Sequence, residues 1–199
     1  MTWCTGLALV GALAGCGQSA AVRPVAPRGR AIEVPGLAAL NKGQDADLAS
    51  VSCASAGNCA AGGYYADQQQ NYQGFVVSER NGRWGQAVEV PGLGALSKGG
   101  NDSVPAGVSS VSCASPGNCA AGGDYENMPH GSQGFVVSEK NGVWRRAINV
   151  PGLAALNKGG GWGAAVNSVS CAPAGGCAAG GHYLESIRRG NMHVQGFVN

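Results

Sequence analysis

Charge is scarce in this 199-residue chain: Asp, Glu, Lys and Arg together make up 12% of it, about half the usual share. The thirteen Lys and Arg nearly balance the eleven Asp and Glu, and the formal net charge is +2. Only Arg145-Arg146 and Arg188-Arg189 are adjacent cations, so there is no basic stripe for a phosphate backbone, and nucleic-acid binding is excluded as a first reading. Aromatic residues amount to 6% and histidines to three, His130, His182 and His193, all in or beside connections. The chain contains no G-x-S-x-G elbow, no HExxH, no P-loop and no dinucleotide fingerprint, so the sequence names no catalytic residue, no metal site and no cofactor. Low charge with 44% apolar residues is the reverse of a disordered composition, and the chain is expected to pack.

Long apolar runs are missing too. The longest near the N-terminus, residues 5–15, is weakly apolar and too short to span a bilayer. It ends in Leu13-Ala-Gly-Cys16, which resembles the bacterial lipobox, although no Lys or Arg precedes Cys16. Residues 1–16 are therefore expected to be a signal peptide with lipidation at Cys16, and residues 17–30, rich in Ser, Ala, Pro and Arg, a disordered tether. The expected location is the cell envelope or the exterior, with the membrane reached only through a lipid anchor.

What the chain has in abundance is repetition, with 35 glycines and, of its eight cysteines, six arranged in register. SVSCASAGNCAAGG begins at Ser50, recurs at Ser110 with one change, and recurs at Ser168 as SVSCAPAGGCAAGG. QGFVVSE begins at Gln73 and Gln133, and a third copy starts at Gln195. VPGL appears at Val34, Val90 and Val150. Residues 31–199 thus form one β-repeat domain with units at about 49–91, 109–151 and 167–199. Each unit predicts four short strands, in the first one Ser50–Ala54, Asn58–Tyr65, Gly74–Glu79 and Arg83–Val90. Asn81-Gly82 and Asn141-Gly142 supply type I′ hairpin turns between the third and fourth strands. Four antiparallel strands in some 60 residues is the size of a propeller blade; a β-sandwich or solenoid of the same hairpins is the alternative.

The run SVSCAS-x-GNCAAGG followed by QGFVVSE-x-NG-x-W resembles secreted bacterial repeat lipoproteins of β-propeller type. The hairpin Ser78-Glu-Arg-Asn-Gly-Arg-Trp84 also resembles a degenerate Asp-box of sialidase-like propellers, with Arg80 and Lys140 where the aspartate belongs and the tryptophan one residue early. The resemblance implies an all-β fold of propeller-type blades, incomplete or three-bladed, and carries no catalytic residue across. The third unit stops at Phe197-Val-Asn199, while Ala31–Val34 reads as an orphan fourth strand. A fragment of a longer protein, a homodimer completing a ring, and an open arc all accommodate this, and the abrupt ending favours a fragment.

Six cysteines form three Cys-x5-Cys pairs, Cys53 with Cys59, Cys113 with Cys119, and Cys171 with Cys177, each flanking a short turn. Neither zinc nor redox spacing occurs, so these predict structural disulfides. Glu79 and Glu139 repeat beside the NG turn and are assigned to the hairpin; Trp84 and Trp144 are assigned to packing between neighbouring sheets. Asp45 and Asp47 are too few oxygens for a calcium loop.

In a propeller the 1–2 and 3–4 turns share one face, and here they barely vary. The 2–3 and 4–1 connections share the other, and here they diverge. The 2–3 connections span 66–72, 126–132 and 184–194, each entered through a fixed tyrosine (Tyr65, Tyr125, Tyr183) preceded by a changing residue (Tyr64, Asp124, His182). Rigid scaffolds with varied polar and aromatic loops commonly bind there. Tyr64, Tyr65, Tyr72, Asp124, Tyr125, His130, His182 and Tyr183 are the candidate binding residues. The expected function is non-catalytic binding of a glycan or protein partner; a fragment of a sialidase-like glycoside hydrolase is the alternative.

Overall fold

The computed structural model describes residues 30–97, 106–127, 131–159 and 163–199. The expected leader, Cys16 and His130 lie outside these residues. Residues 33–199 form one compact unit, built of three antiparallel meanders in chain order. In the first, β1 (Ala46–Ser55), β2 (Asn58–Ala66) and β3 (Tyr72–Arg80) pair in sequence, and the short β4 (Arg83–Trp84) and β5 (Val88–Glu89) both pair with β3. The second repeats this with β6 (Gly107–Ser115), β7 (Asn118–Glu126), β8 (Ser132–Lys140), β9 (Val143–Trp144) and β10 (Ile148–Asn149). The third has β11 (Ala165–Cys171), β12 (Cys177–Arg188) and β13 (Asn191–Val198). Single helical turns, α1 (Leu37–Leu40), α2 (Leu93–Leu96) and α3 (Leu153–Leu156), follow the three VPG sequences. Each starts after a glycine held at φ near 80°, a left-handed conformation that favours glycine over any other residue.

The architecture is all-β, as the periodicity predicts, and three expectations are corrected by it. The fourth strand is broken in two, because Gly85, Gln86 and Ala87 leave the ladder between β4 and β5; Ala87 N–H instead bonds Pro35 O at 2.7 Å. Ala31–Val34 is not a strand; it runs without regular structure. Residues 184–194 are not a loop either. They extend β12 and β13 into one long hairpin closed by Arg189-Gly190, both at positive φ, a two-residue turn that matches strand twist.

The disulfides close the 1–2 turns as predicted. Cys53 stands opposite Cys59, Cys113 opposite Cys119 and Cys171 opposite Cys177, with Cα separations of 3.9, 3.9 and 4.0 Å. Each closes a loop of about seven residues, which in the chain-entropy account removes about 2 kcal/mol of freedom from the unfolded chain. Such bonds form and persist in an oxidising compartment, which places the folded chain outside the reducing cytosol. No helix among the described residues is long and apolar enough to cross a membrane.

The three sheets are stacked through their first strands: β6 packs on β1, β2 and β3, and β11 packs on β6, β7 and β8. Two features of the repeat make this fit. The second glycine of each AAGG (Gly63, Gly123, Gly181) lies against a bulge in the paired first strand, where a Cβ would overlap the carbonyl of Asp47, Gly107 or Ala165. The first glycine leaves a hollow that seats a valine of the next sheet, Val108 over Gly62 and Val166 over Gly122. The cores between sheets follow from this. Val76, Val90, Leu93, Val108, Val111 and Phe135 bury together, as do Val150, Leu153, Val166 and Val169. Among the described residues the series of sheets does not close into a ring.

Candidate binding face

Side-chain bonds sort the connections onto two sides. On one, the disulfide turn and the NG hairpin of the same sheet are bolted together. Asn58 Oδ1 accepts from Asn81 N–H at 3.3 Å while Gly57 O accepts from Gly82 N–H at 2.9 Å. Asn118 and Gly117 repeat the pattern with Asn141 and Gly142. In the third unit Gly176 replaces this asparagine and Pro173 replaces Ser55, so the turn relaxes into a five-residue loop held by Ala172 N–H to Gly176 O at 2.7 Å.

The opposite side carries the variable segments. In the first unit the 2–3 loop is tied by Asp67, whose carboxylate accepts the N–H groups of Gln69 at 2.8 Å and Asn71 at 2.9 Å. Gln70, at φ 66°, reaches back with its side-chain amide to Gly43 O at 3.3 Å and so joins this loop to the segment that enters β1. The same corner holds an aromatic pair. Tyr64 and Tyr72 meet edge to face with ring centroids 5.4 Å apart, and Tyr72 O–H donates to Asp45 Oδ2 at 2.7 Å. That bond, and then the charge of Asp45, push the Tyr72 phenol above its ordinary pKa. Tyr64, opposite Asp47 in the ladder, is pushed up first by burial and then by Asp45 and Asp47. Both rings remain partly exposed, two aromatic edges flanked by carboxylates.

The fixed tyrosines behave differently from these. Tyr65 and Tyr125 are buried, and their hydroxyls donate inward to Glu89 Oε2 at 3.1 Å and Asn149 Oδ1 at 2.6 Å. Each ties the end of the second strand to the broken fourth strand, so their place is the core, not the surface. Burial, foremost, raises both phenols. Tyr183 is half-buried against the Val166–Val169 core. Of the changing residues, Asp124 is half-buried opposite Gly107 and Gly134, and burial pushes its carboxyl up to about 7. His182 shares a 2.9 Å hydrogen bond between Nδ1 and Asn167 Oδ1. The structure therefore brings together Tyr64, Tyr72 and Asp45, and leaves Asp124 and His182 at the same height on successive sheets.

Sequence reasoning assigned Glu139 to its own hairpin, but the side chain crosses to the neighbouring sheet. The buried carboxylate accepts Ser78 Oγ–H at 2.8 Å, Arg80 approaches it at 3.5 Å, and Trp144 Nε1–H donates to Ser78 Oγ at 3.0 Å. Arg80, at the end of β3, thus serves the contact between sheets. Flanking grooves lie between the sheets on the outer edge: one of about 460 Å³ lined by Arg80, Arg83, Val88, Pro91 and Trp144, and one of about 340 Å³ lined by Ser138, Arg146, Ile148 and Val169. Among the described residues no three His, Cys, Asp or Glu side chains converge on a point where a metal ion would sit. No protein-family model matches the chain, and no curated protein matches it either.

Proposed function

We propose that this chain is an exported, non-catalytic repeat scaffold of propeller type, anchored through a lipid on Cys16, that binds a glycan through its variable loop face. The observation that carries the reading is the Tyr64–Tyr72 pair beside Asp45 and Asp47, set on disulfide-stapled strands. Tyrosine rings offer rigid amphipathic area at low entropic cost, and a sugar presents one C–H-rich face to stack and hydroxyls for carboxylates to accept. The strands beneath hold the pair in place before any ligand arrives, which lowers the ordering cost of binding. A protein partner uses the same anchors and is the second outcome of the test.

The test is a glycan array probed with the full chain, followed by titration of any hit against a Tyr64→Ala/Tyr72→Ala variant and an Asp45→Asn variant. A saturable hit that weakens at least tenfold in both, with melting temperature unchanged, supports the reading. A hit indifferent to both variants, or an empty array together with no partner cross-linked at residue 72 in the native envelope, sinks it. Labelling with a fatty-acid analogue, compared with Cys16→Ala, tests the anchor separately.

A further inference from the structure

Among the described residues, no further sheet covers on the third sheet the surface that its two siblings bury. Position by position the contrast is sharp. Val111 and Val169, in β6 and β11, are 6% and 8% exposed because the preceding sheet lies against them; Val51, the same residue of β1, is 58% exposed. Val108 and Val166 are seated in the hollows over Gly62 and Gly122, whereas their counterpart Leu48 is 40% exposed. At the other end, Cys59, Ala60, Cys119 and Ala120 are buried, while Cys177 and Ala178 are exposed, and among the described residues no side chain of a further sheet enters the hollow over Gly180.

The polar groups are matched in the same way. Ser50 and Ser52 accept the outward N–H groups of Val111 at 3.0 Å and Cys113 at 3.1 Å. Ser110 and Ser112 accept those of Val169 and Cys171, both at 2.9 Å. Ser168 and Ser170 occupy the accepting positions on β11, and Val51 and Cys53 the donating positions on β1. The edge of the third sheet matches as well. Phe197 and Val198 stand where Phe75 and Val76 pair with Glu89 and Val88 of β5, but Val198 is 89% exposed. The sequence counterpart of Val88-Glu89 is Ile32-Glu33, which has no strand partner among the described residues.

We infer that two copies of this chain join head to tail, each laying β1 and its Ile32-Glu33 segment on the third sheet of the other. Leu48 of one copy fills the hollow over Gly180 of the other, Ser168 and Ser170 accept the N–H groups of Val51 and Cys53, and Ile32-Glu33 adds to the free edge of β13. The occupant is a second copy because both contacts inside the chain already use this interface, donor for donor and hollow for hollow. A head-to-tail contact that closes after two copies gives a symmetric dimer. Its six sheets fall within the range of closed propellers. The inference does not rest on the loop-face reading, since none of its residues belongs to the tyrosine corner.

The full chain, with its disulfides formed, is measured by size-exclusion chromatography with light scattering over a hundredfold range of concentration. A particle of twice the chain mass is expected; a monomer throughout, as ring closure within one chain would give, or open-ended growth overturns the inference. Gly180→Val is the specific probe. A Cβ there meets only Phe197 O at 3.4 Å and Val198 Cγ1 at 3.8 Å, ordinary contacts, so the chain folds while the hollow is filled. Self-association weakens at least tenfold, with far-ultraviolet circular dichroism and melting of the dilute chain unchanged. Leu48→Asp, at an exposed position, does the same from the opposite surface and keeps the test open should Gly180→Val fold poorly. Either variant dimerising as tightly as the parent overturns the inference.

Discussion

Ser52 Oγ accepts the backbone N–H of Cys113 at 3.1 Å, a bond between residues 61 apart that joins two sheets through the cysteine of one and the serine of the other. The outer N–H groups of a sheet's first strand are an edge hazard, open to pairing with any other chain. Here the Ser-x-Ser of each unit satisfies the edge of the next, and the spacing of two residues puts both hydroxyls on the same face.

Replacing Ser52 with Ala removes the acceptor and leaves the Cys113 N–H unpaired at a covered interface. A stranded donor costs about 1–3 kcal/mol. Urea unfolding of Ser52→Ala, and of Ser112→Ala for the second interface, is expected to show losses in that range. Ser170→Ala, on the uncovered third sheet, is expected to leave monomer stability within about 0.5 kcal/mol, as surface changes usually do. Equal losses at all three positions would contradict the assignment.

Gly63→Ala and Gly123→Ala are expected to prevent folding or to cost more than about 3 kcal/mol, because the added methyl overlaps the carbonyl of Asp47 or Gly107 on a strand that cannot withdraw without breaking its ladder. Gly94→Ala is the control, since a Cβ there meets nothing closer than Glu89 Oε1 at 3.6 Å and the residue lies in a helical turn. Alanine suits a helix better than glycine by about 1 kcal/mol, so this variant is expected to be neutral or slightly more stable. Thermal melts of the three variants decide it.

Much of this was legible in the residues, and the reason differs by element. Register followed from repetition, and the cysteines and NG turns fixed hairpins whose chemistry is local. The contacts between sheets were not legible. Nothing in SVSC says that its serines serve the following unit, since a hydroxyl reads the same whether it faces water or a neighbour's amide. Glu139 was missed for the same reason, because its partner Ser78 belongs to the preceding unit. The long third hairpin was hidden by composition. Residues 184–194 carry Arg188-Arg189-Gly190-Asn191 in the middle and read as a connection, yet the pairing of β12 with β13 carries the ladder through them. Tyr65 and Tyr125 looked like surface residues because they open variable loops. Their hydroxyls reach Glu89 and Asn149, two positions whose strand was expected to run unbroken.

Exposure orders the disulfides by access to a reductant. Cys119 is buried and Cys113 half-buried, whereas Cys53 of the first bond and Cys177 of the third are exposed. Thiol–disulfide exchange requires approach to a sulfur, so the middle bond is expected to be reduced last. Timed reduction with a small dithiol, alkylation and peptide mass spectrometry should find Cys53–Cys59 and Cys171–Cys177 opened well before Cys113–Cys119. Simultaneous loss of all three would instead indicate reduction through global unfolding.

Asp124 gives the fold a pH dependence whose sign is set by burial. Desolvation by burial raises its carboxyl from 3.8 to about 7, only partly offset by its own backbone N–H. Between those values the folded chain holds a proton that the unfolded chain has released, so unfolding becomes easier as pH rises. Stability from this group is therefore greatest below pH 4, declines from about pH 4 to 7 and is flat above. Linkage over the full interval amounts to at most about 4 kcal/mol. Asp124→Asn keeps the shape, removes the titration and is expected to be more stable than the parent above pH 7, with the two converging near pH 4. Urea titrations of both chains from pH 4 to 8 measure it, and parallel pH profiles would show that Asp124 is solvated and carries no such cost.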